Sequence, residues 1–294
     1  MGLKQKSLTT ALTLLLANTV CAEGTDIMLL PLSEKDGHFE IELEPVHITQ
    51  RDGYDNQPKF TLDSDSIFFT RMQGVEGKEQ QQTDIYRYSL QDNAAINITQ
   101  TDEHSEYSAT PYDSDSVSII GVNPQGQQHL RKVNLLNAEQ EVWRKDIEPI
   151  GYHAWLNENQ AAVFVLGDVM TLQILDIRGS ERPSILAENI GRCLQTVRHG
   201  KVSFTVEEAG QHHLKTLSSK GHIEDTGITL PKGVQDYIWL DEVSVLAGEN
   251  SRLLKVERDK ASVIADLEEL NVRGITRLAI SPDKSKLAIV YERP

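Results

Sequence analysis

One segment of this sequence is written almost twice. Thr83-Asp84-Ile85-Tyr86-Arg87-Tyr88-Ser89-Leu90, closing with Ile98-Thr99-Gln100, echoes Thr25-Asp26-Ile27-Met28-Leu29-Leu30-Pro31-Leu32, closing with Ile48-Thr49-Gln50, about sixty residues earlier. A second echo, Asp63-Ser64-Asp65-Ser66, returns as Asp113-Ser114-Asp115-Ser116. Self-similarity at this period means that the chain is assembled from like units, each too small to bury a core alone.

Six places mark the units. Asp63, Asp113, Asn157, His199, Asp241 and Asp283 occupy comparable turns, separated by 50, 44, 42, 42 and 42 residues. Each turn is followed by a short apolar strand, from Ile67-Phe68-Phe69 and Val117-Ser118-Ile119 through Ala162-Val163-Phe164, Val202-Ser203-Phe204 and Val243-Ser244-Val245 to Leu287-Ala288-Ile289. Third strands are expected over 130–135, 172–177, 212–217 and 253–257, and fourth strands over 141–144, 184–187 and 262–266. Short β-branched strands at this spacing, with no 3.6-residue periodicity, predict a β-propeller of four-stranded blades. Blades bury both faces, which accounts for apolar runs in place of strict alternation.

The ends of the chain say how the ring closes. Five complete units run from 58 to 266. The C-terminus adds two strands, 276–281 and 286–291, and the N-terminus adds only a third and a fourth, 26–32 and 39–50. Together they make one blade, and joining them removes two unpaired sheet edges. The expected fold is therefore an all-β, six-bladed propeller whose sixth blade is shared by the two ends.

The turn Ile280-Ser281-Pro282-Asp283-Lys284, the run Pro58-Lys59-Phe60-Thr61-Leu62-Asp63 and the third strand Asp84-Ile85-Tyr86 resemble the repeat of TolB-type propellers, with Asp26-Ile27-Met28 a partial match. The resemblance covers the whole chain as a pattern and implies the TolB-like six-bladed fold, but it hardly specifies function, since propellers host binding, scaffolding and catalysis alike. It departs from TolB in one respect: the sequence has no segment for the α/β domain that precedes the propeller there. The hydrolase domain that accompanies prolyl-oligopeptidase-like propellers is likewise not expected.

The first residues read as an export leader. Lys4 and Lys6 precede an apolar run over 11–17, and Val20-Cys21-Ala22 offers a cleavage site, giving a signal peptide over 1–22 and a single domain over 23–294. The protein is thus expected in the periplasm, with lipidation of Cys21 as the alternative. No segment approaches the ~20 apolar residues that a spanning helix needs. Loss of 1–22, which holds two lysines and no acid, would take the formal net charge from −15 to −17. Such acidity disfavours nucleic acid and anionic lipid as partners. Cys193 alone would remain, so no internal disulfide is expected and the core must supply stability.

The sequence has no Gly-x-Ser-x-Gly elbow, His-Glu-x-x-His, Cys-x-x-Cys or glycine-rich phosphate loop. The Asp-Ser-Asp-Ser runs lack the Gly and the terminal acid of a helix–loop–helix calcium loop, having Phe68 and Gly74 in those places in the first run, and Ser118 and Pro124 in the second. Their oxygens suit turn amides better. His212 and His213 are adjacent on a third strand and point to opposite faces, so they do not suit one ion. Trp143, Trp155 and Trp239 are expected to fill space between blades, a sugar platform being the alternative. No cofactor or metal is expected.

Function is expected on the face where connections from strand four to strand one, and from two to three, emerge. The first set supplies Arg51, Asp52, Tyr54, Asp55, Glu106, Tyr107, Tyr152, His153, Arg192, Asp236 and Tyr237, a mix of aromatic and charged residues that enriches binding surfaces. The second includes a long Gln- and Gly-rich loop over 71–82. The resulting expectation is a monomeric, non-enzymatic binding or scaffold protein of the bacterial cell envelope that engages a protein or peptide. The alternative is a carbohydrate-active or other hydrolytic enzyme, which requires carboxylates from the set Asp52, Asp55, Glu106 and Asp236 to converge with His153 at the channel mouth.

Overall fold

The computed structural model describes residues 24–35, 38–74 and 81–293. The expected signal peptide, Cys21 and positions 75–80 of the long loop lie outside the described residues. The N-terminal strands are Thr25–Lys35 (β1), His38–Ile41 (β2) and Val46–His47 (β3). The first complete blade follows as Asp55–Phe60 (β4), Ser66–Gly74 (β5), Gln81–Ser89 (β6) and Ala94–Asn97 (β7). The second holds Ser105–Pro111 (β8), Ser116–Val122 (β9), Gln128–Asn134 (β10) and Gln140–Val142 (β11). The third is Ile150–Trp155 (β12), Gln160–Val165 (β13), Thr171–Asp176 (β14) and Ile185–Glu188 (β15). The fourth is Gln195–Val197 (β16), Lys201–Glu208 (β17), Gln211–Ser218 (β18) and Ile223–Thr229 (β19). The fifth is Tyr237–Trp239 (β20), Val245–Glu249 (β21), Arg252–Glu257 (β22) and Lys260–Asp266 (β23). Each is a four-stranded antiparallel sheet in chain order. Leu278–Ile280 (β24) and Lys286–Glu292 (β25) then join β1 to make the sixth.

The closure has the expected form. β1 pairs with β25 in continuous register from Thr25↔Glu292 to Pro31↔Lys286, and Ile27, Met28, Leu29 and Leu30 are buried on it. The single fourth strand expected over 39–50 is instead two short strands, β2 and β3, both on β1. Pro45, with no N–H to donate, sits in the break. The fold is thus a six-bladed β-propeller, and among the described residues no helix is long and apolar enough to cross a membrane.

The sequence repeats correspond to repeated hydrogen bonds. Ile27 N donates to Thr49 Oγ1 (2.9 Å), which donates to Asp26 Oδ1 (3.1 Å). In the first complete blade Ile85 N donates to Thr99 Oγ1 (3.0 Å), which reaches Asp84 Oδ1 (3.4 Å). The duplicated Thr-Asp-Ile and Ile-Thr-Gln therefore staple a third strand to the chain beyond its fourth. The turn acids do what short polar side chains do in turns. Asp63 Oδ1 accepts from Asp65 N, Asp113 Oδ1 from Asp115 N, and Asp241 Oδ1 from Val243 N. At Asp283 the Ser281 hydroxyl, then the Ser285 N–H, holds the carboxyl down at about 2. His199 departs from the pattern, with φ of +64° in a short 3-10 turn.

Apolar clusters fill the gaps between neighbouring blades, and two tryptophans tie blades together. Trp155 Nε1 donates to Ser118 Oγ (2.9 Å) and Trp239 Nε1 to Ser203 Oγ (2.7 Å), each serine lying on the second strand of the preceding blade. Trp143 and Trp155 pack with Tyr112 at ring-centroid distances of 4.7–5.3 Å. This spends the tryptophans on packing.

Candidate binding site at the channel mouth

The innermost strand of each blade begins at the end of the channel where the strand-four-to-strand-one connections emerge. Only Arg51, Asp52, Tyr54, Arg192 and Asp236 of the expected residues lie in those connections. Asp55, Glu106, Tyr107, Tyr152, His153 and Tyr237 lie on innermost strands instead. The long loop is shorter than expected as well, since β5 continues to Gly74 and β6 begins at Gln81. Three inner strands shift register, between Asn56 and Lys59, between Tyr107 and Thr110 and between Ile150 and Tyr152, the first two with φ of +57° at Gln57 and +55° at Ser108. Bulges re-aim side chains, and here they do so along the channel.

Five expected residues gather with one that was not expected. Arg277, immediately before β24, donates from Nη2 to Tyr152 Oη at 3.0 Å, and its guanidinium carbon stands 4.9 Å from the Tyr152 ring centroid. Its Nη1 lies 3.6 Å from Asp236 Oδ1. Arg192 donates from Nη2 to Asp236 Oδ2 at 2.6 Å. Gly191, just before it, lets the chain lie against β17, where a Cβ would stand 2.2 Å from Thr205 Oγ1. Tyr54 completes the group, interacting electrostatically with Arg277, Tyr152, Tyr107 and Arg192. Burial pushes the Tyr54 phenol well above the usual tyrosine range. Burial opposes the charge of Arg277, but Asp236, then Tyr152 and Tyr54, hold its pKa above the ordinary arginine range. One residue from each of the six blades, Tyr54, Tyr107, Tyr152, Arg192, Asp236 and Arg277, thus forms the rim.

The other expected residues do not join this rim. Asp55 is fully buried and receives Arg71 Nε (2.8 Å) and Arg51 Nη1 (3.3 Å). Asp52 is exposed and pairs with Arg293, which also grips Asp26 beside the closure. Glu106 is buried and accepts from Thr101 Oγ1 (2.9 Å) and Gln140 Nε2 (3.1 Å). Burial pushes it up to about 7, against those two hydrogen bonds and with help from neighbouring Asp84. Tyr237 corrects the expectation of a surface anchor: it is 1 % exposed, and its hydroxyl donates to Ser203 Oγ at 2.9 Å between blades. These four carboxylates therefore have separate partners, and the acid beside Glu106 is Asp84, which lies outside the expected set.

Below the rim the channel narrows to a cavity of about 80 Å³, lined by Lys59, Ser108, Thr110, His153, Cys193 and Gln195 among others. That holds water or the end of a chain, far less than the volume of a drug-sized ligand. His153 is buried, and its Nε2 meets Ser118 Oγ at 2.7 Å. Burial, with the charge of Lys59 second, pushes its imidazole down to about 3, so it is neutral. Burial also lowers Lys59 and raises the Cys193 thiol. Among the described residues no group of three or more His, Cys, Asp or Glu could hold a metal ion. His212 and His213 engage different strands, through Thr205 Oγ1 and Thr229 Oγ1.

The residues that the sequence pattern did not single out were Arg277 and Lys59. A signal for Arg277 was present: Tyr152, Asp236 and Arg277 each stand three residues before the last residue of their inner strand, Trp155, Trp239 and Ile280. It was hidden because the sixth blade is divided between the chain ends. Lys59 is re-aimed by a bulge, which the strand pattern does not announce.

The fold and rim define a propeller with a polar, aromatic-edged channel mouth. No protein-family profile matches the chain, and no curated protein matches it by sequence. Among solved structures it is similar to TolB from Acinetobacter baumannii, at 14% identity and a TM-score of 0.51, covering 80% of this chain and 52% of that one. The chain therefore spans about half the length of that TolB. It is also similar to a chain of a nidogen/laminin complex (8% identity, TM-score 0.62, 87% and 98% covered) and to a putative gluconolactonase (8%, 0.54, 89% and 97%). The TolB-like resemblance thus holds at the level of the fold.

Proposed function

We propose that this protein is a non-enzymatic binding protein of the bacterial cell envelope, exported to the periplasm, which holds a protein or peptide partner at the channel mouth. The observation that carries this reading is the rim itself. Three tyrosines and two arginines edge one concave opening, and aromatic residues and arginine supply a large share of interface energy. Arg192 and Arg277 share one carboxylate, Asp236, so the rim keeps a positive excess on a protein of formal charge −15. The leader-like residues 1–22 and the TolB-like fold support the location. The four carboxylates expected for a hydrolase are each engaged by separate partners, which favours binding over catalysis. Site-specific crosslinking from the mouth, compared with the opposite face, tests the proposal.

A further inference from the structure

The cations of the channel are unequally satisfied. Arg192 and Arg277 share Asp236, whereas Lys59 has no hydrogen bond or ion pair among the described residues. Its neighbours by electrostatics are the neutral Cys193 and His153. This half-buried ammonium gives up part of its hydration and gains no counter-ion, which is costly. Two further groups lining the same cavity are unsatisfied: His153 Nδ1 and Ser108 Oγ are buried with no hydrogen-bond partner. Buried polar atoms are nearly always paired, so two orphaned ones beside the unpartnered, half-buried ammonium of Lys59 in one small cavity point to something that pairs them.

We propose that the channel is a carboxylate site, in which a carboxylate on a narrow chain, such as the free C-terminus of a peptide, is held by Lys59 with Ser108 Oγ and His153 Nδ1 beside it. This rests on reading the mouth as a peptide-binding site and specifies what part of the peptide enters. One unpaired cation with two neutral polar groups, beside Arg192 and Arg277 that already share Asp236, matches a monoanion. The small volume admits a chain end and no folded surface. With Nε2 accepting from the Ser118 hydroxyl, the neutral His153 ring carries its proton on Nδ1 and donates it to the carboxylate.

The test is an NMR titration of the folded protein, following the backbone amides of Lys59, His153 and Gln195. Three probes are compared: triglycine with a free carboxylate, triglycine amide, and acetate, each to ~100 mM. The expected result is that triglycine binds and its amide binds about tenfold more weakly or not at all. Lys59→Met should lose the free-acid binding and melt no lower than the parent, since it removes a half-buried charge that has no partner. Acetate binding that also depends on Lys59 supports the site with a free acid as its source, and triglycine binding without acetate binding supports a peptide terminus. Acid and amide binding alike would overturn the carboxylate assignment and leave the peptide reading of the mouth standing. Absence of binding by both triglycine and acetate, or acid binding unchanged in a folded Lys59→Met or Lys59→Gln protein, would also overturn it.

Discussion

Arg277 donates to the Tyr152 hydroxyl across 125 positions of sequence, joining the sixth blade to the third. In a ring of six these blades face each other, so the bond crosses the channel mouth. The same guanidinium faces Asp236, so one side chain couples three blades.

This arrangement predicts unequal costs for two substitutions. Tyr152→Phe keeps the ring under the guanidinium and loses only the hydrogen bond, for a stability loss of about 1 to 2 kcal/mol. Arg277→Met leaves Asp236 with Arg192 alone and should cost more, about 2 to 4 kcal/mol. Equilibrium denaturant unfolding measures both. Equal losses would mean that Asp236 does not depend on Arg277.

The buried acid Glu106 gives a pH prediction. Its pKa is about 7 in the folded protein against an ordinary 4.5, so the folded state holds the extra proton between those values. Its contribution therefore weakens stability as pH rises from about 4.5 to about 7. His153 acts in the opposite sense, because its folded value of about 3 lies below 6.5 and the unfolded chain takes up the proton first as pH falls. The two effects oppose each other over the shared window. Glu106→Gln removes the first, so its melting temperature relative to the parent should rise between pH 5 and pH 8, about the range spanned by these groups. A difference in melting temperature that does not change with pH would contradict the assignment. Asp84 is the acid to watch in that comparison, since it adds to the upward shift of Glu106.

Tyr237 and Tyr107 should separate stability from binding. Tyr237 is buried between blades, so Tyr237→Ala should cost about 3 to 5 kcal/mol. Tyr237→Phe, which loses only the bond to Ser203, should cost about 1 kcal/mol. Tyr107 is only partly buried at the rim, and Tyr107→Ala should cost less than Tyr237→Ala. Thermal or denaturant melts decide it. A Tyr237→Ala protein as stable as the parent would restore that residue to the surface.

Much of the fold was legible because its signals are local. The Asp-bearing turns lie where the spacing puts them, and the split blade follows from counting strands at each end. The duplicated Thr-Asp-Ile and Ile-Thr-Gln report a bond that the sequence repeats because the geometry repeats. The site was less legible, for a physical reason. A one-residue difference in where an inner strand begins decides whether a side chain faces the channel or the gap between blades. Asp236 and Tyr237 are neighbours, yet the first joins the rim and the second enters the core. Bulges at Gln57 and Ser108 shift that alternation again, and no turn residue marks them.

The central claim is that partners are held at the channel mouth, and photo-crosslinking in intact cells tests it most directly. A photoreactive residue placed at Asp52, Glu103 or Lys232, all exposed around the mouth, would be compared with one at Leu62 or Val243, 71% and 60% exposed on turns of the opposite face. The account predicts a discrete adduct from the mouth positions, lost when Tyr54 and Tyr107 are both changed to Ala, and none from the opposite face. The same adduct from Leu62 and Val243 alone, or a mouth adduct indifferent to both tyrosines, would contradict it.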